Sequence, residues 1–251
     1  MKAAPLPSEY RAYVVGSTLL VTRPEHFVLL RDAVHTHDTL YAFAATRADA
    51  QPLAGRGVSF AVATPHGSWV VRRYRRGGAV ASLLGDRYLR SGEPRSVQEL
   101  RVSAAARTRG VRTPAVVAAA VYARGGFYRA DLITEYITPS ADLAQLGFGG
   151  EEQRPQEVRV AAWRSAGALV RELAGWGLAH ADLNLKNILI RFVGESPEAW
   201  VLDLDRAELR PHVSAAPLWA RLQRSLQKWE RLTARSLGSA ERAALEAGYR
   251  G

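Results

Sequence analysis

Two short segments near residue 190 constrain this chain most. The run His180-Ala181-Asp182-Leu183-Asn184-Leu185-Lys186-Asn187 leads into an apolar stretch, Ile188–Phe192. A turn at Gly194-Glu195-Ser196-Pro197 follows, and then Trp200-Val201-Leu202-Asp203-Leu204-Asp205. Two apolar runs split by a turn predict two short strands, Ile188–Phe192 and Trp200–Leu204, paired as a hairpin. That hairpin would bring Asn187 and Asp203 to neighbouring positions. An amphipathic helix before the loop, with Val158, Ala162, Ala166, Leu169, Val170, Leu173 and Trp176 on one face and Gly177 as its stop, would fix Asp182 beside them. Phosphoryl transfer needs such a set. One carboxylate holds a hydroxyl and takes its proton, while a second carboxylate and an amide oxygen hold Mg²⁺ against phosphate oxygens. The bland alternative is an Asp and an Asn that cap a turn in an unrelated α/β protein.

Upstream, Val58–Ala63 and Trp69–Tyr74 read as strands around a turn at Thr64–Ser68. Pro94 to Arg109 has helical character, with Gly110 as its stop. Thr113–Tyr122 and Ala130–Ile137 read as further strands, residues 146–155 as a linker or loop, and the last ~35 residues as helical. The first ~50 residues carry little signal. This order predicts an α+β chain: an N-terminal extension and small antiparallel sheet lobe with one helix over residues 1–137, then a mainly helical catalytic lobe over 138–251.

Composition narrows the function classes. With 47% apolar and 23% charged residues the chain is not of the disordered type. Its net charge of +10 comes almost wholly from arginine, because Lys2, Lys186 and Lys228 are the only lysines. Anionic partners suit such a chain, although arginine-rich genome composition gives the same number. The absence of cysteine excludes disulfides, thiolate metal sites and a cysteine nucleophile, and fits a reducing cytosol. No signal-peptide run opens the sequence and no stretch reaches ~18 apolar residues, so any membrane contact is expected to be peripheral. No zinc-finger or RNA-recognition signature accompanies the charge, and nucleic acid is not an expected partner. No protein partner can be identified.

The loop His180-x-Asp182-x-x-x-x-Asn187 with Asp203 downstream resembles the catalytic loop and metal-binding aspartate of the protein-kinase-like fold. Read with Gly55-Arg56-Gly57 and Arg72-Arg73-Tyr74-Arg75-Arg76-Gly77-Gly78, the stretch from about Gly55 to Trp229 is similar to the 3-deoxy-D-manno-octulosonic acid (Kdo) kinase family of lipopolysaccharide core kinases. The resemblance implies transfer of the ATP γ-phosphate to the 4-hydroxyl of a Kdo sugar linked to a lipid A precursor. It implies work at the cytoplasmic side of a Gram-negative inner membrane, held peripherally to its anionic surface. Asp182 would then be the catalytic base, and Asn187 and Asp203 the Mg²⁺ ligands. Gly55 and Gly57 would cover the nucleotide phosphates, or form a plain turn.

Arg72 stands where kinases carry a strand lysine, with Arg73 a rival on the opposite strand face. Glu99 would pair with it, unless Ser96 and Glu99 form a capping box. Arg75 and Arg76 suit a basic rim for the acidic acceptor, or a solvated turn. Asn184 replaces a lysine that protein kinases place two residues after the base, which points away from protein substrates and towards acceptor contact. Asp205 occupies the glycine position of D-F-G, and the A-P-E signature is missing. His180 is expected to hold the loop. Leu218, Leu222, Leu226, Trp229 and Leu232 form a helical stripe that packs in a core or, with the nearby basic residues, rests on an anionic membrane. Kinases of small soluble alcohols, such as aminoglycosides or choline, share the loop. An inactive kinase-like binding module is a rival invited by the replaced lysine.

Overall fold

The structure, a computed structural model, describes residues 5–53, 59–75, 86–89, 92–150, 154–194 and 196–251. Gly55, Gly57 and Arg76 lie outside the described residues. The chain divides into two compact units, Met1–Ala104 with Ala115–Tyr136, and Ala105–Pro114 with Ile137–Gly251.

The first unit is built on an antiparallel sheet of β1 (Arg11–Val15), β2 (Thr18–Thr22), β3 (Gln51–Leu53), β4 (Ser59–Thr64), β5 (Gly67–Arg73), β6 (Tyr88–Leu89), β7 (Val116–Arg124) and β8 (Phe127–Glu135). Its spatial order is β1-β2-β7-β8-β5-β4-β3, with β6 paired to β8. The valine- and aromatic-rich runs around Trp69 and Val121 form its middle. There, β7 is buried continuously from Val116 to Tyr122. A strand buried on both faces needs a cover on each. On one side, α3 (Arg95–Thr108) contributes Val97, Leu100 and Ala104 to a core with Val121, Tyr128 and Leu132. On the other, α1 (Phe27–Thr36) and α2 (Leu40–Thr46) bring Leu30, Ala33, Leu40 and Ala44 against Trp69, Val71 and Ile133.

Among the described residues, the first 50 hold β1, β2, a 3-10 turn at Pro24–His26, α1 and α2, and the sheet carries helices on both faces where the sequence predicts one. The reason is length: strands of five residues and helices of ten or seven give short, weak periodicity. A register shift between Val116 and Ala118 turns Val117 and Ala118 to the same face, which breaks the alternation a strand reader looks for.

The second unit contains β9 (Ser140–Asp142), α4 (Leu143–Phe148), α5 (Gln156–Gly175), β10 (Leu178–His180), β11 (Ile188–Val193), β12 (Ser196–Val201), β13 (Ala207–Leu209), α6 (Ala215–Thr233) and α7 (Ser239–Arg250). The expected loop over 146–155 is corrected at its start, since α4 reaches Phe148 and buries Leu146. Asp142 and Gln145 form a capping box that starts this helix. Helices α5 and α7 approach closely, backbone to backbone, at two glycines. A Cβ on Gly167 would lie 2.0 Å from the Leu245 carbonyl oxygen, and one on Gly248 2.0 Å from that of Arg164.

Leu218, Leu222 and Leu226 of α6 are buried, so this part of the stripe is core. Leu232 is 68% exposed and is not. No helix among the described residues is long and apolar enough to cross a membrane.

Candidate active site

The catalytic-loop segment sits in the second unit, clamped at both ends by strands. α5 stops at Gly177, which adopts φ +73°, and a side chain there would strike the Arg210 carbonyl oxygen at 2.2 Å. The chain then enters β10, paired with β13 so that His180 faces Ala207. His180 is buried. Its Nδ1 accepts from the Asp182 amide at 3.2 Å, so Nε2 carries the proton and donates to the Leu202 carbonyl at 3.1 Å. This neutral imidazole ties the start of the loop to the backbone just before Asp203.

The loop closes on itself around the Asp182 carbonyl oxygen. Asn184 Nδ2 and Asn187 Nδ2 both donate to it, each at 2.8 Å. The amide nitrogen of Asn187 is thereby committed to the loop, and its oxygen is the end left to face a cation. Asn184 also accepts the Lys186 amide at 3.0 Å and caps the short 3-10 turn Leu185–Asn187. Both ends of its side chain shape the loop.

β11 and β12 pair in register, Ile188 opposite Val201, and the Leu202 amide donates to the Asn187 carbonyl at 2.9 Å. Asp203 is the next residue, so the hairpin places it beside Asn187. Its backbone is left-handed, φ 59° and ψ 67°, and its side chain caps nothing in the 3-10 turn that follows. Left-handed backbone is uncommon for residues other than glycine, although aspartate tolerates it better than most. Its side chain is exposed.

Among the described residues no group of three or more His, Cys, Asp or Glu is assembled to hold a metal. One carboxylate with one amide oxygen suits a hard cation that keeps water and phosphate oxygens in its shell, as Mg²⁺ does, and does not suit zinc.

Helix α6 braces this loop from one stripe. Arg221 Nε donates to the Ala181 carbonyl at 2.9 Å, Ser225 Oγ accepts the Leu185 amide at 3.1 Å, and the Lys186 ammonium lies 5.6 Å from the centre of the Trp229 ring. Positions 221, 225 and 229 fall on one helical face. Sequence reasoning missed this role. The four-residue spacing was readable, but its target was not.

The first unit holds the basic strand position. Along β5, Trp69 and Val71 face α1 and α2, whereas Tyr74 faces α3. Strand alternation sends Arg72 with Tyr74 and Arg73 with Trp69. Arg72 pairs with Glu99 of α3, and the Tyr74 hydroxyl donates to the same carboxylate, which is 5% exposed. The Arg72 guanidinium also lies 4.7 Å from the Tyr74 ring centre. Glu99 thus spends its carboxylate on this ion pair rather than on a capping box. Ser96, fully buried, directs its hydroxyl to the Ala120 carbonyl.

Arg73 belongs to a separate buried network that no sequence signal announced. Its Nε is 3.8 Å from Asp131 Oδ1 and its Nη1 3.5 Å from Asp86. Asp131 accepts from the Tyr41 amide at 2.8 Å and from the Tyr122 hydroxyl at 2.9 Å. Burial raises its carboxyl to about 6, against the opposing effect of these donors and of Arg73. Arg75 is exposed at the end of β5.

Comparison with known proteins identifies relatives over most of the chain. Kdo kinase of Xylella fastidiosa (strain 9a5c), "3-deoxy-D-manno-octulosonic acid kinase", is 35% identical over 72% of this chain and 71% of its own length. The protein of the same name from Xanthomonas campestris pv. campestris (strain B100) is 36% identical over 69% of this chain and 68% of its own. A solved structure described as "WaaP in complex with acyl carrier protein" aligns with a TM-score of 0.53 at 17% identity. It covers 92% of this chain and 88% of that one, and shows a shared kinase-like α+β fold. Residues 41–249 match the lipopolysaccharide kinase (Kdo/WaaP) family, and with the loop of Asp182 and Asn187 and the left-handed Asp203 in place, the chain belongs to that family of phosphotransferases.

Proposed function

We propose that this kinase transfers the γ-phosphate of ATP, with Mg²⁺, to the 4-hydroxyl of a Kdo sugar on a lipid A precursor, in building the lipopolysaccharide core of a Gram-negative envelope. The observation that carries the chemistry is the closed loop, in which Asn187 gives its amide nitrogen to the Asp182 carbonyl, with Asp203 one residue past the backbone bond from Leu202 to Asn187. The acceptor rests on the relatives, which bear the name of Kdo kinase over about seventy per cent of the chain.

In this reading Asp182 orients the acceptor hydroxyl and takes its proton as the oxygen bonds to the γ-phosphorus. The bond from that phosphorus to the β–γ bridging oxygen breaks, and ADP leaves. Asn187 and Asp203 would hold a magnesium ion, which would supply positive charge against the phosphate oxygens. Arg72, kept in place by Glu99 and Tyr74, offers a fixed cation to the nucleotide phosphates.

Peripheral attachment to an anionic inner-membrane surface, on its cytoplasmic side, completes the proposal. Its support is the outer face of α6, where Arg224, Lys228 and Arg231 are exposed next to Leu232.

The test incubates purified protein with labelled ATP and either Kdo-linked lipid A precursor or aminoglycosides. Label is expected on the Kdo lipid only, dependent on Mg²⁺ and lost in Asp182→Ala. Label appearing only on an aminoglycoside would end the acceptor assignment, and undiminished turnover in Asp182→Ala would end the assignment of the base.

A further inference from the structure

Lys186 is the side chain of the catalytic loop that the chemistry above leaves without a task. It is exposed, immediately precedes Asn187, and is one of only three lysines in a chain that otherwise uses arginine for positive charge. Its position relative to the base is fixed. The Asn184 amide spans the two residues, donating to the Asp182 carbonyl at 2.8 Å and accepting from the Lys186 backbone at 3.0 Å. Leu185 between them is buried and pinned to Ser225 at 3.1 Å.

The ammonium has a seat as well. It lies 5.6 Å from the centre of the Trp229 ring, and that ring is stacked on Phe148 with centroids 6.0 Å apart. A ring face holds a cation without neutralising it, so the full charge remains available to an anion. Lys186 forms no ion pair with a carboxylate among the described residues. Asp142, whose carboxyl is raised by burial and engaged in capping α4, feels its charge only at longer range. An aromatic-seated lysine, rigidly linked to a base, is the arrangement a site needs to grip an acidic substrate close to the hydroxyl that reacts.

We infer that Lys186 binds the carboxylate of the acceptor sugar, with Trp229 as its platform and Asn184 as the tie that sets its distance from Asp182. This rests on the acidic-sugar reading of the acceptor given above. An ammonium–carboxylate contact orients the sugar ring, and so selects which hydroxyl meets Asp182. Neutral alcohols would gain nothing from it, so the residue contributes specificity as well as affinity.

Steady-state kinetics on the full chain, with the Kdo lipid and with the same lipid carrying its Kdo carboxylate as a methyl ester, test the inference. For Lys186→Gln the KM for the acid acceptor is expected to rise about ten- to a hundredfold, with the KM for ATP near that of wild type. Lys186→Arg should restore most of the loss. The ester should raise the wild-type KM to the level of Lys186→Gln and cost the variant nothing further, because the two changes remove one contact.

Losses that add would overturn the inference, as would a rise in the KM for ATP, which would assign Lys186 to the nucleotide. A fall in kcat with unchanged KM would also overturn it, since that marks a loop-shaping role. If wild-type protein phosphorylates a neutral alcohol and not the Kdo lipid, the acceptor reading itself fails and takes this inference with it.

Discussion

At the scale of single residues, adjacent arginines do unrelated work because a strand turns neighbours to opposite faces. Arg72 meets Glu99 and Tyr74 on the α3 side, while Arg73 meets Asp131 and Asp86 on the other. Arg72→Ala should raise the KM for ATP about tenfold, through loss of a charge-assisted contact to phosphate. Arg73→Ala should leave that KM near wild type and lower the melting temperature, because it strips a buried carboxylate of its cation. The opposite ordering in ATP kinetics would put the phosphate contact at the wrong arginine.

Asp131 adds a pH signature. Its carboxyl lies at about 6 in the folded state against 3.8 in an unperturbed aspartate, so between these values the native state keeps a proton the unfolded chain has released. Stability from this group is full below about pH 4 and declines as pH rises through about 6, by roughly 3 kcal/mol for a shift of two pH units. Urea midpoints measured from pH 4 to 7.5 should show Asp131→Asn losing this downward slope. A variant whose slope matches wild type would show that another group titrates.

At the scale of elements, the second unit depends on two contacts of α5 and α6 that the candidate catalytic residues themselves do not make. α7 packs on α5 with backbone against backbone, through Gly167 and Gly248. Gly167→Val would set carbons where the Leu245 carbonyl oxygen and the Tyr249 amide already stand, 2.0 and 2.8 Å from a Cβ. Because backbone atoms cannot swing aside, the substitution should cost about 3 kcal/mol or more, read as an earlier chemical-denaturation midpoint. A variant as stable as wild type would mean that α7 can lift from α5 without loss. The α6 stripe of Arg221, Ser225 and Trp229 is the other contact, and it makes the catalytic loop a product of a helix some forty residues downstream.

At the scale of the whole molecule, a net charge of +10 and the exposed basic face of α6 favour anionic surfaces. Co-sedimentation with vesicles containing anionic phospholipid should be strong at 0.1 M salt and fall steeply by about 0.5 M, as the screening length shrinks well below 10 Å. Binding equal on neutral and anionic vesicles would assign the attachment to Leu232 and its apolar neighbours instead.

The catalytic loop and its hairpin were legible in the sequence because both are local. Asp182, Asn187 and Asp203 lie within 22 residues, and a five-residue spacing before a paired strand leaves few ways to arrange them. Kinase-like order, the strand arginine and Glu99 were legible through family resemblance, as were most of the strands through their apolar patterns. What tertiary structure decided has partners far apart in sequence. Asp131 meets the Tyr41 amide across 90 residues, and Ser225 reaches Leu185 across 40. The first fifty residues join the sheet through β2 pairing with β7 near residue 120. A hydrogen bond or a packed face has no imprint on one segment alone. The chain encodes both halves, but only folding brings them together.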